Sequence, residues 1–186
     1  MPEHFPSAVP RAHFADRRAA AEAVRMALPM IEAAMARREV GESGFLYIVV
    51  MDPARPPGAC GFEDAILYEH AVGDRSKWDA DYAAFARDKA RVSWRTGLDG
   101  HLVRQVRPHL LGEADTGLWG AVCVEGIVVG VSGANPWYDE AFAGTIAHCL
   151  KAAAKARARA EPEAPRLAGP PAGDPAGRQT LTGDPT

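Results

Sequence analysis

Little in this sequence is extreme, and each scarcity excludes a class of protein. Cysteine occurs three times in 186 residues, at Cys60, Cys123 and Cys149, with no Cys-x-x-C pair. A disulfide framework or a structural zinc site needs more thiols at closer spacing, so neither is expected. One loop thiol and two small buried hydrophobes are expected instead. No apolar run approaches the ~20 residues that a membrane-crossing helix needs. The first residues lack the basic-then-apolar order of a secretory signal. An excess of one charge is lacking too: 24 acidic against 21 basic side chains leave a formal −3. That balance speaks against a nucleic-acid-binding surface. The expectation is a soluble, cytoplasmic chain with neither nucleic acid nor membrane as partner.

Apolar content is ample, at 47%, enough for one self-sufficient core. Composition breaks after residue 160, where the last 26 residues hold six prolines and four glycines. Such a stretch cannot bury enough to offset its ordering entropy, so a disordered tail is expected over 161–186. Pro2, Pro6 and Pro10 suggest a flexible start over 1–14. The single domain then spans 15–160.

Within that span the hydrophobic period switches several times. Residues 15–39 place Val24, Leu28, Ile31 and Met35 at helical spacing. Pro29 is expected to kink or split this helix, because it removes an amide donor. Residues 45–51 are apolar on both alternating faces, as in a central strand covered on both sides. In residues 65–73, Ile66, Tyr68, His70 and Val72 share one strand face. A helix follows from Asp79 to Arg95, burying Tyr82, Phe85 and Val92 and stopping near Gly97. A second starts at its cap Asp99, carries Leu102, Val103 and Val106, and is cut at Pro108. Residues 117–134 read as one long strand or as a hairpin turning at Glu125-Gly126, and the glycine favours the hairpin. In the last helix Asn135 caps, Pro136 takes the first position, and Asp139 and Glu140 meet the positive end of the dipole. The order α-β-β-α-α-β-β-α defines an α+β fold, with helices packed on a mostly antiparallel sheet of about four to five strands.

In this order, residues 82–154 resemble the haem-degrading/GlcG–HbpS family, which includes the C-terminal domain of PduO. The resemblance rests on Lys89-Ala90 in the first central helix, on Val129-Gly130-Val131-Ser132-Gly133 at a strand end, and on Asp139-Glu140 soon after. Upstream, Gly44, the apolar run 45–51 and Asp52 extend it to about 30–155. The chain departs from the family pattern in two places. Gly120-Ala121-Val122-Cys123-Val124 and Glu125-Gly126 replace a G-G-x-P-I strand and a D-G turn, and the loop 53–64 is longer and richer in proline. The resemblance implies a profilin-like fold, homo-oligomers, and binding of haem or another small molecule. It carries no ligand to the iron that can be placed on a residue of this chain.

The candidate site follows from the residues themselves. Tyr68 and His70 share a face that could border an apolar pocket, with His70 the candidate iron ligand if haem is the cofactor. Gly130, Ser132, Gly133 and Asn135 form a strand-to-helix corner where backbone amides could receive a carboxylate or phosphate. Trp137, with Trp94, Trp119 and Tyr138, could line a flat-ligand pocket or a subunit interface. Two enzyme motifs fail: Gly130-x-Ser132-x-Ala134 is not a nucleophile elbow, and the glycines at 126, 130 and 133 do not make a dinucleotide turn. The leading expectation is a binding protein for haem or a similar planar, acid-bearing ligand. The alternative is a small enzyme or accessory subunit acting on an organic or aromatic acid, with His70 or His101 as general acid/base.

Overall fold

The computed structural model describes residues 12–161. The expectations for 1–14 and 161–186 therefore fall outside it, residues 12–14 and 161 excepted. The element order is the expected one. Helix α1 (Arg17–Met35) leads into β1 (Leu46–Met51) and β2 (Ile66–Val72). Helices α2 (Tyr82–Thr96) and α3 (Gly100–Val106) follow, then β3 (Ala121–Val124), β4 (Ile127–Ser132) and α4 (Pro136–Ala160). The four strands form one sheet in the order β2-β1-β4-β3. Every pairing is antiparallel, so the fold is α+β on a wholly antiparallel sheet.

The most apolar runs take the two central places, β1 and β4, where every residue is buried. One face of the sheet packs α1 and α4 through Ile48, Val50, Val129, Val131, Ile31 and Ile146. The other face packs α2 through Val49, Met51, Val128, Ala86 and Ala90. The hairpin reading of 117–134 is correct: Glu125 and Gly126 both have positive φ, at 51° and 84°, as a tight two-residue turn with right-handed strand twist requires.

Three local expectations change. Pro29 does not split α1. It sits on the exposed side, where the carbonyl that loses its amide partner can turn to water. Phe85 is exposed rather than buried; Ala86 and Ala90 take the sheet-facing side of α2. A Cβ on Gly130 would lie 2.6 Å from the Ala86 carbonyl oxygen and 2.7 Å from Ala90 Cβ. The helix approaches so closely that only small side chains fit between. Val106 likewise points outward, leaving Val103 to anchor α3.

Candidate functional site

Strand alternation decides where the expected site residues go. His70 pairs with Ile48 and Tyr68 with Val50, which places both on the α1 side of the edge strand β2. There they stack, ring centroids 6.3 Å apart, with the Tyr68 hydroxyl 3.5 Å from His70 Nδ1. The Arg17 guanidinium lies 5.5 Å from the Tyr68 ring centre. Burial lowers the His70 pKa, against a smaller upward pull from Glu32. Gly130 and Ser132 face the opposite layer, toward α2. The expected pocket uniting Tyr68 and His70 with Gly130 and Ser132 is therefore not formed, because the sheet lies between the two pairs. A haem bound through His70 in such a pocket does not fit this arrangement.

The strand-to-helix corner also has a different use from the expected one. Gly133, with φ 141°, passes so near β1 that a Cβ would fall 2.0 Å from the Phe45 carbonyl oxygen. The Ala134 amide donates to Asp139 Oδ1 at 2.9 Å, and the neighbouring Gly133 amide also favours the charged carboxylate. The loop thus already holds an anion through the Ala134 amide, and the chain supplies it. Lys89 Nζ donates to the other oxygen, Oδ2, at 2.8 Å, and to Ser132 Oγ and the Val131 carbonyl, each at 3.2 Å. Asp139 is fully buried and Lys89 is 5% exposed. Burial pushes the Asp139 carboxyl up to about 6, although Lys89 and the two amides pull it down. Asn135 does begin α4, but its side chain donates to the Glu39 carbonyl at 2.9 Å instead of capping. A polar cavity of about 530 Å³ outside this corner is lined by Arg38, Ser43, Asp79, Tyr82, Gly133 and Asn135.

Trp137 belongs to a third place. It is 57% exposed and borders an open depression of about 420 Å³ with His101, Gln105, Trp119, Glu140 and Ala141. His101, in the first turn of α3, meets Trp119 at a centroid distance of 5.9 Å and an interplanar angle of 60°. Its Nδ1 contacts Glu140 Oε1 on α4. Asp99, at the start of α3, accepts a 2.8 Å bond from the Cys123 amide, tying that helix to the edge strand β3. Ligand atoms of Asp99, His101 and Glu140 all lie within 4.8 Å of one another. Burial raises the Glu140 pKa, Asp99 adds to the rise, and His101 opposes it.

Of the expected residues, then, Tyr68 and His70 stay together, Gly130 and Ser132 sit behind the sheet, Gly133 and Asn135 border the polar corner, and Trp137 joins His101. Sequence reasoning named Asp99 as a cap and Glu140 as a dipole partner without bringing either to His101. The only local signal is the Asp-x-His spacing; Glu140 lies 39 residues from His101. No protein-family model matches the chain, and no curated protein matches it either. Among the described residues, no helix is long and apolar enough to cross a membrane.

Proposed function

We propose that the chain is a small-molecule-binding domain of the GlcG–HbpS type, taking a planar, acid-bearing ligand of the haem class. The observation that carries this reading is Trp137, 57% exposed beside Trp119 and His101 over an open depression. An indole left in water forgoes burial worth about 1.5–3 kcal/mol for a large apolar side chain. Grouped with Trp119 on one depression, Trp137 belongs to the kind of exposed apolar patch that marks ligand or partner surfaces. The α-β-β-α-α-β-β-α order and antiparallel sheet support the profilin-like, family-type frame. The flat faces of Trp119 and Trp137 would hold the ring system. This moves the planar ligand away from His70. The test is a hemin titration of the purified chain: a saturable Soret shift, weakened in Trp137→Ala and unchanged in His70→Ala, supports the reading. A flat titration overturns it. Self-association belongs to the same proposal, supported by exposed Met26 and Met30 one turn apart on α1; light scattering reads it.

A second reading is favoured by the His101–Glu140 contact. An imidazole held by a carboxylate is a general acid/base arrangement, suited to an enzyme or accessory subunit acting on an organic or aromatic acid. Turnover of aromatic acids that is lost in His101→Ala would favour this reading over simple binding.

A further inference from the structure

We propose that Asp99, His101 and Glu140 form a binding site for one divalent transition-metal cation, such as Zn²⁺, Mn²⁺ or Co²⁺. The three side chains come from two segments distant in sequence, the start of α3 and the first two turns of α4, and their ligand atoms converge within 4.8 Å. One imidazole nitrogen and two carboxylate oxygens are a donor set for borderline cations rather than for Mg²⁺ or Ca²⁺, which prefer all-oxygen shells. Metal–ligand bonds of about 2.0–2.2 Å would require the direct His101 Nδ1–Glu140 Oε1 contact to open and the ion to replace it.

Charge supports the assignment independently of distance. Neither Asp99 nor Glu140 has a lysine or arginine partner within 4.0 Å among the described residues, and Glu140 is paired with the His101 imidazole. Two carboxylates and a neutral imidazole balance a divalent ion. The supporting shell is also in place, because metal-binding side chains need partners that fix their orientation. The Cys123 amide holds the Asp99 carboxylate, and Trp119 meets the His101 ring edge-on.

Three protein ligands leave at least one coordination position open, as in catalytic and ligand-binding zinc sites. His101 and Glu140 both line the Trp119/Trp137 depression. A bound cation would therefore supply counter-charge for an acid group at the edge of that depression. This last step rests on the proposed planar ligand; the metal site itself does not.

The test uses the metal alone. The full chain is stripped with chelator and titrated calorimetrically with Zn²⁺, and separately with Co²⁺ while its visible absorption is followed. One Zn²⁺ per chain and Co²⁺ ligand-field bands are expected. His101→Ala and Glu140→Gln should each lower affinity by more than about 100-fold, beyond the 10–100-fold typical of a supporting residue. Equal affinity in wild type and both variants, or no uptake, overturns the proposal. Should a variant misfold, Mn²⁺ added to the wild-type chain provides the second measurement. It should broaden the NMR signals of His101 and the Trp119 and Trp137 indoles far more than that of His70, on the opposite edge of the sheet; the reverse pattern overturns the site. Hemin plays no part in these measurements, so the metal site and the planar-ligand reading fail separately.

Discussion

Lys89 Nζ, from the helix on one face of the sheet, lies 2.8 Å from Asp139 Oδ2, at the start of the helix on the other face. The bond passes the end of β4, where the same ammonium also reaches Val131 and Ser132. It thus ties the two helical layers together at the end of a central strand.

Breaking this pair should be costly. Lys89→Met leaves a buried carboxylate with only backbone amides and should destabilise the chain by about 3–5 kcal/mol in urea unfolding. Joint replacement, Lys89→Met with Asp139→Leu, should recover part of that loss, since apolar packing often substitutes for a buried ion pair. A double variant no better than the single one would mean that the loop amides, not the lysine, are what Asp139 chiefly serves.

The glycines of the corner should behave as packing residues. Gly130→Ala should cost about 1–3 kcal/mol or more, because its Cβ meets backbone and side chain of α2. Gly133→Ala should cost more still, given its φ of 141° and the Phe45 carbonyl in the way. Gly126→Ala, whose Cβ meets nothing within 4 Å, should lose only about 1–2 kcal/mol from its left-handed turn conformation. Unchanged thermal unfolding in Gly130→Ala would contradict the packing role.

Trp137 and Phe142, five residues apart on α4, should separate ligand binding from stability. Trp137→Ala should change stability by less than about 1 kcal/mol while weakening hemin uptake. Phe142 is 2% exposed, and its replacement by alanine should cost about 3–5 kcal/mol. Calorimetric melts of the two variants check the contrast.

His70 should titrate below its ordinary value of 6.5, because burial disfavours the imidazolium. The folded state then binds fewer protons than the unfolded chain as pH falls. The contribution to stability is present above about pH 6.5 and is lost as pH drops through the folded pKa. His70→Gln should flatten that part of the stability profile, and an NMR titration of the His70 ring should show the lowered value. A midpoint at or above 6.5 would refute the burial argument.

Elements with strong local signals were legible from the chain. The Gly97 stop, the Glu125-Gly126 turn, the start of α4 at Pro136 and the doubly buried run of β1 all stand where residue chemistry places them. The site was legible only in fragments. Trp137 could be grouped with Trp119 from the chain alone, but nothing local joins Glu140 to His101 or Lys89 to Ser132.

The sequence by itself determined the element order, the central strands and the turn chemistry, because these depend on periodicity and on residues within about four positions of one another. Only the tertiary structure decided which side chains meet. Adjacent strand residues face opposite layers, so Ser132 and His70 parted. Helix α4 carries Asp139 to Lys89 and the next residue, Glu140, to His101, because neighbouring helical positions point about 100° apart.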